Sequence, residues 1–495
     1  MIPKREILES ATNNSLTPHV IEKDYVLGWI LAGINNHAII ANSWIFKGGT
    51  CLKKCYFDTY RFSEDLDFTL RDESHINADF LLKTFSDISK WIYEFSGIEI
   101  PPDRMIFDVY ENPRGKMSCQ GRLFYKGPAT SQSKNAMPRI KLDLSVDEIV
   151  VAPTIINSIS HAYSDLPQDG FHIQCYSYEE VFAEKIRALA ERTRPRDLYD
   201  VINFYRRPES EKRAMQIKGI LRKKCEFKGI EMPTYSALQK HKDECQGGWV
   251  DQLNHQLQAL PPFESFWNEL PDFFNWLESP TSPLVRIHTT IPVQAGTVID
   301  QSDIGLINSS AAAPQFNLLD RIRFAAANYL CVEIIYHRED GAQNTYLIEP
   351  YSLRRTSDNH LLLYSLKHNT ADIRAFRTDR IINAIATTTT FTPKYRIEFL
   401  PSAPLNPGGV VLSYDRDILG VSKRKKSSNY SFAKLLKPSR SRSSSFGSTI
   451  KYIYQCPFCR KTFHRSSMDS KLNPHKNKQG WQCSGKTGVY IKTKY

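Results

Sequence analysis

The chain of 495 residues has no run of about eighteen consecutive apolar residues, the length a membrane-spanning helix needs. Its first residues, MIPKREILES, lack the apolar core of a secretory signal, so a cytoplasmic protein with no membrane partner is expected. Ten cysteines are too scattered in a chain this long for a disulfide scaffold, and in a reducing compartment clustered cysteines point to metal or redox chemistry. Only Cys456, Cys459 and Cys483 cluster along the sequence. Acid is missing from one end: residues 421–495 hold 18 Lys/Arg against the single acid Asp469. Residues 1–420, with 47 basic and 52 acidic residues, are slightly acidic, so the overall +12 belongs to the tail. Internal repeats are absent too. What remains is an ordinary globular composition, 41% hydrophobic and 12% aromatic, with apolar mass for several cores.

Five segments follow from the pattern: 1–205, 206–285, 300–400, 421–450 and 451–495. The first mixes helix and strand. Thr17-Pro18 opens an amphipathic helix, β-like runs fall near 43–47, 64–70, 104–110, 120–126 and 138–146, and 178–192 is strongly helical. In the second, Phe263, Phe266, Trp267, Leu270, Phe273 and Trp276 form a stripe at helical spacing, as a packed core does. The third alternates short β-branched runs with polar turns, as in a small barrel or sandwich. Residues 421–450, basic, serine-rich and without acid, read as a flexible linker.

The chemistry concentrates in the first segment. Lys47-Gly48-Gly49-Thr50 follows the apolar run Trp44-Ile45-Phe46 and suits a strand-to-helix turn whose backbone N–H groups face phosphates. Arg61-Phe62-Ser63-Glu64-Asp65-Leu66-Asp67 places two carboxylates two apart, on one face of a strand. Carboxylates held that close repel unless a cation intervenes, and Mg²⁺ commonly bridges carboxylates to substrate phosphates. A third acid on a nearby strand would complete a two-metal site. Asp143 is the best candidate, with Asp147 and Glu148 close behind it. On the helix at 178–192, Lys185 reads either as part of a solvated face of charge pairs or as a cation directed at a triphosphate, with the group Arg192, Arg194, Arg196, Asp197 and Asp200 bracing the site or holding substrate.

Taken in order, Gly48-Gly49-Thr50-Cys51-Leu52, Arg61 to Asp67, Asp143 and Glu180 to Asp200 resemble the motifs of the AbiEii/AbiGii family of nucleotidyltransferase toxins. The resemblance covers about residues 15–280 and includes Glu22-Lys23-Asp24-Tyr25. It implies a polymerase-β-like core that transfers a nucleotide from an NTP, with Mg²⁺, to tRNA 3′ ends or related acceptors. It further implies Asp65 and Asp67 as metal ligands, Gly48, Gly49, Thr50 and Ser63 on the phosphates, Lys185 on the triphosphate, Asp197 in the family's last acidic role, and a neutralising antitoxin as partner.

In the third segment, Leu363-Tyr364-Ser365-Leu366 and Arg374-Ala375-Phe376-Arg377-Thr378-Asp379-Arg380-Ile381 resemble the WYL domain, an SH3-like β-barrel of bacterial defence regulators, although its namesake Trp is absent. The resemblance implies ligand or nucleic-acid sensing through Tyr364, Arg374, Arg377 and Arg380, since arginine forks suit phosphate and tyrosine stacks on bases. The competing reading pairs these arginines with Asp379 and Glu349 at the surface. In the last segment Cys456-Pro457-Phe458-Cys459, His475 and Cys483 make a closed Cys₃His set for a structural Zn²⁺. His464 competes as a ligand, and redox use of the C-x-x-C pair is the rival chemistry.

The expectation is therefore an α+β protein: a polymerase-β-like nucleotidyltransferase core, a helical subdomain, a small SH3-like barrel and a zinc-stabilised module. Its expected activity is Mg²⁺-dependent transfer of a nucleotide from an NTP to an RNA acceptor, with tRNA as the leading candidate. Two rivals stand beside it: a nucleic-acid-binding WYL regulator with an inactive transferase fold, and a transferase acting on protein or a small molecule.

Overall fold

The computed structural model describes residues 1–57, 60–130, 137–207, 210, 212–279, 289–299, 314–398, 451–456, 461–465, 471–472, 475 and 489–494. It divides into two compact units, Met1–Lys423 and Arg424–Tyr495. None of its helices is long and apolar enough to cross a membrane, among the described residues.

The larger unit opens with helices α1 (Lys4–Asn14) and α2 (Pro18–Asn36), the latter starting on proline because a first-turn N–H has no helical partner to lose. A mixed sheet follows, from β1 (Trp44–Lys47), β2 (Asp65–Leu70), β3 (Met105–Glu111), β4 (Met117–Phe124), β5 (Arg139–Ser145), β6 (Ile155–Ile159) and β7 (Phe171–Cys175). Its order is β3-β4-β5-β2-β1-β7-β6. Between strands lie the short helix α3 (Gly48–Cys51), a π-helical turn over Leu52–Tyr56, and α4 (Ala78–Ser96). The alternation in β2 and β5 buries Leu66, Phe68, Ile140, Leu142 and Leu144 on one face and frees the other for Asp65, Asp67 and Asp143. β2 and β5 run parallel at the sheet centre, with Asp67 opposite Asp143 and Asp65 opposite Lys141.

The expected helix at 178–192 is α5 (Tyr178–Arg192), capped by Ser177, whose side chain accepts the Glu180 amide. After α6 (Pro195–Arg206) and α7 (Ala214–Lys228) come the short helices α8 to α12 (Tyr235–Gln239, Lys242–Gly247, Trp249–Leu253, Glu264–Trp267 and Leu270–Glu278). The aromatic stripe at 263–276 is buried throughout, as a packed core requires. The sequence reading missed α4, β6, β7 and, in the third segment, the helix α13 (Pro314–Ala327).

Beyond α13 lie β9 (Leu330–His337), β10 (Gln343–Arg355), β11 (Leu361–Lys367), β12 (Ile373–Arg377) and β13 (Ile381–Thr390), while the two-residue β8 (Val298–Ile299) pairs with β10. Their order, β12-β11-β10-β9-β13, is an antiparallel path that ends in β12 and β13, joined by a single 3-10 turn. Among the described residues no pairing of β12 with β13 closes this path into the small SH3-like barrel expected for the segment. Helix α13 and the turn after it are tied to the first part of the unit through the half-buried Arg321 and the buried Arg206. Arg321 donates to the carbonyl of Asn13 at 2.7 Å, and the Arg206 guanidinium lies 4.1 Å from the Tyr329 ring and 4.3 Å from Phe266.

In the smaller unit, β14 (Lys451–Gln455) pairs with β15 (Thr462–Arg465) and β16 (Val489–Lys494). Tyr454, Cys456 and Leu472 cluster there with Phe463, whose ring centroid is 4.8 Å from that of His475. Of the expected zinc set, Cys456 and His475 are buried, whereas Cys459 and Cys483 lie outside the described residues, as does the basic linker at 421–450.

Candidate active site

The site forms where β1 ends and the chain turns. Gly48 takes φ +81°, a left-handed conformation that suits glycine, and a Cβ there would lie 2.0 Å from Asp67 Oδ2. A Cβ on Gly49 would meet Arg61 Nη2 at 2.8 Å and Ser63 Oγ at 3.0 Å. Both glycines are therefore demanded by the close approach of the carboxylate strand and of the arginine behind it. Gly48→Ala should cost stability by about 1–3 kcal/mol through strain and displacement of Asp67. Chemical denaturation checks the first effect, and divalent-cation titration checks the second.

Asp65, Asp67 and Asp143 converge on this turn. Burial, the Asp143 charge and the Asp65 charge raise the Asp67 carboxyl to about 6, against the relief from Lys47 and Lys185. Asp143 is also raised, by burial and by Asp65. Asp147 and Glu148, the alternatives for the third acid, are spent elsewhere. Asp147 pairs with Arg114 at 3.2 Å and Lys228 at 3.1 Å, and Glu148 with Lys228 at 3.4 Å, Lys47 at 3.6 Å and Arg187 at 3.6 Å.

Three residues expected at the nucleotide have other partners. Thr50 is fully buried, and its hydroxyl donates to the Asp65 carbonyl oxygen, so its side chain holds β2 in place and is not offered to a phosphate. Lys185 donates to Asp200 at 2.7 Å and lies 3.5 Å from Asp197, so its ammonium is engaged by carboxylates, not presented free to a triphosphate. Asp197 accepts a two-pronged contact from Arg192 at 2.7 and 3.0 Å. Arg196, by contrast, is half-exposed to the site side: its Nε donates to the Gln252 carbonyl at 3.3 Å, and it feels the charges of Asp65, Asp200 and Glu64. Ser63 stands beside Gly49.

Beneath these residues lies a brace: the sequence pointed to Asp200 as one member of it, but not to its partner Arg61. Arg61 donates from Nε and Nη2 to the two oxygens of Asp200, both at 2.8 Å, and from Nη1 to Gln256 at 2.9 Å. Tyr60 also donates to Asp200. Burial opposes the Asp200 charge, but Arg61 and Lys185 outweigh it and hold the carboxyl well below its usual range. Lys47 was missed as well, although it directly precedes the glycines: it faces both Asp67 and Asp143 electrostatically.

The third segment departs from expectation at Tyr364, which is only 3% exposed and accepts the Gln294 amide at 3.2 Å, so its ring offers no stacking face. Arg377 is held by Asp379 at 2.6 Å, and Arg380 by Glu339 at 2.8 Å, not by Glu349. Glu349 instead accepts from the Tyr351 hydroxyl at 3.0 Å and lies 2.9 Å from His368. Arg374 is exposed on the edge strand β12.

A mixed α/β fold that sets carboxylates of two neighbouring strands beside a glycine turn defines a class suited to phosphate chemistry with a cation. The chain belongs to the nucleotidyl transferase AbiEii toxin family of type IV toxin–antitoxin systems, whose model matches residues 29–279, just over half of its length. That family implies an NTP substrate, a divalent metal and a neutralising antitoxin. The WYL domain model matches residues 317–385. No curated protein matches the chain. Among solved structures, MenT4, a nucleotidyltransferase toxin of Mycobacterium tuberculosis H37Rv, is similar at 16% identity, over 56% of this chain and 90% of that one, with a TM-score of 0.36. The proteasome accessory factor B/C of Arthrobacter aurescens is similar at 16% identity over 43% of this chain and 32% of that one, with a TM-score of 0.15.

Proposed function

We propose that this chain transfers a nucleotide from an NTP to an RNA acceptor, tRNA foremost, with Mg²⁺ held by Asp65, Asp67 and Asp143. The observation that carries the reading is the register of β2 against β5, which sets Asp67 beside Asp143 at the glycine turn. The donors fit the ion: they are hard carboxylate oxygens, and two of the three are pushed toward protonation by burial and mutual repulsion that a cation would relieve. When bound, such an ion neutralises phosphate charge and lowers the pKa of the attacking hydroxyl. The chain's own residues do the rest. Gly48 and Gly49 let backbone N–H groups approach the phosphates, Lys47 and Arg196 add positive charge, and Ser63 offers a hydroxyl. Lys185, Asp197 and Asp200 act as a buried brace that fixes Arg61 behind Gly49.

Proton and cation compete for Asp67. Its folded-state pKa lies above the unfolded carboxylate value of about 4, so its ionised form costs stability at neutral pH, and the cost is relieved as pH falls through about 6. Mg²⁺ binds the ionised form. It should therefore raise Tm clearly more at pH 7.5 than at pH 5.5, and equal increments by differential scanning fluorimetry would contradict the reading.

The tail supplies the attraction that a slightly acidic body lacks. Removing residues 421–495, with their 18 Lys/Arg, should weaken RNA binding and flatten its salt dependence while leaving NTP binding unchanged. Filter binding at several salt concentrations measures this. In the third segment we assign the nucleic-acid contact to Arg374, the one of the three arginines not paired to a carboxylate among the described residues. The acceptor is tested by incubating the full chain with each labelled NTP, Mg²⁺ and total tRNA. Label in RNA supports this reading, label in protein makes a protein the acceptor, and no label favours the regulator with an inactive transferase fold.

A further inference from the structure

We propose that Cys51, Cys55 and Cys175 form a three-thiol site for one thiophilic d¹⁰ cation, Zn²⁺ or Cu⁺, directly beneath the glycine turn. Cys51 and Cys55 are four residues apart in sequence, and the fold brings the distant Cys175 to them. Their sulfurs lie within 4.8 Å of one another, and all three side chains are buried. Cys51 closes α3 and Cys55 follows four residues on in the π-helical turn, so both face the same way. Cys175 ends β7, where it pairs with Phe46 of β1.

The donor set selects the ion. Thiolates favour soft cations, and no carboxylate or histidine joins the group among the described residues, which leaves nothing for Mg²⁺. A metal–sulfur bond of about 2.3 Å in a trigonal arrangement needs sulfurs roughly 4 Å apart, a small contraction at most. Cysteines that merely fill space as small apolar side chains need not direct their sulfurs at one another. Here the three do, and they also share hydrogen bonds. Burial raises the Cys51 and Cys55 thiols well above their ordinary range, while hydrogen bonds from Cys51, Cys55 and Tyr56 lower that of Cys175, as three thiols sharing protons do. A cation would take the place of the shared protons, each ligating thiol releasing its proton to solvent. Because Cys51 closes the glycine-turn helix and Cys175 lies two residues before the Ser177 cap of α5, a bound ion would staple the turn to the helix that carries Lys185. This inference stands apart from nucleotide transfer and from the Cys456 set.

The test titrates the reduced, metal-stripped full chain anaerobically with Zn²⁺ and, separately, with Cu⁺. Native mass spectrometry counts the equivalents bound, and metal-edge X-ray absorption counts the sulfur ligands. Wild type should bind one equivalent more than Cys175→Ser or Cys51→Ala in at least one arm, with three sulfurs on the ion lost. Cys456→Ala should leave that equivalent in place. If Cys175→Ser does not fold by circular dichroism, the milder Cys51→Ala carries the comparison. Folded variants that bind as many equivalents as wild type in both arms would overturn the proposal.

Discussion

Asp67→Asn is expected to lower nucleotide transfer by more than about a hundredfold while making the metal-free protein no less stable. Residues that only orient a metal's ligands are worth about 10–100-fold, and a direct donor should exceed that. The absence of a stability cost is the more discriminating half. Ionised Asp67 is buried against Asp143 and Asp65 and is raised to about 6, so a neutral side chain of the same shape removes repulsion at pH 7. A purely structural carboxylate would behave in the opposite way, losing stability with its charge. Single-turnover transfer and urea denaturation, measured on the same preparation, separate the two. The double variant Asp65→Ala/Asp67→Ala should also be inactive and folded; retained transfer in that protein would remove the site from consideration.

Asp200→Ala is expected to destabilise the protein by about 3–5 kcal/mol, because it leaves the buried Arg61 without a carboxylate and Lys185 with only the longer contact to Asp197. Arg61 loses both contacts at 2.8 Å, and Lys185 loses its partner at 2.7 Å. That loss is a large part of the roughly 5–15 kcal/mol that holds a typical domain folded. Since the Asp200 carboxyl is held below its usual range, its contribution is present above the unfolded carboxylate pKa and is lost as pH falls into the acid range. Asp200→Ala should therefore lose more stability relative to wild type at pH 7 than in acid, where protonation removes the same pairing from wild type. Denaturation midpoints across pH measure both the size and the slope.

These two residues also mark what could be read from the chain and what could not. Asp65 and Asp67 were legible because strand alternation is strict, and Asp143 because Arg139–Ser145 repeats it. The pairing of β2 with β5 sets Asp143 opposite Asp67, while Asp147 and Glu148 are held in ion pairs; that register has no local signal in the sequence. The brace was hidden for the same reason. Arg61 and Asp200 are separated by 139 residues, and nothing near either names its partner. Thr50 and Lys185 sit where motif reasoning placed them, but their polar atoms are taken by neighbours from distant segments. Tyr364 failed as a stacking face because β11 is a central strand, covered on both sides by pairing and by packing. Helix α13 was missed because its own amphipathicity is weak and the short β-branched runs after it set the character of the segment. The three thiols under the glycine turn are the plainest case, since only the β1–β7 pairing brings Cys175 to the other two.

The central claim is that the carboxylates of β2 and β5 and the glycine turn form one cation–nucleotide site. Anomalous scattering from Mn²⁺ in crystals of the full chain grown with a non-hydrolysable NTP tests it most directly. Mn²⁺ is expected among Asp65, Asp67 and Asp143, with the nucleotide phosphates against Gly48 and Gly49. Mn²⁺ and phosphates bound elsewhere, with those three carboxylates bare, would contradict it.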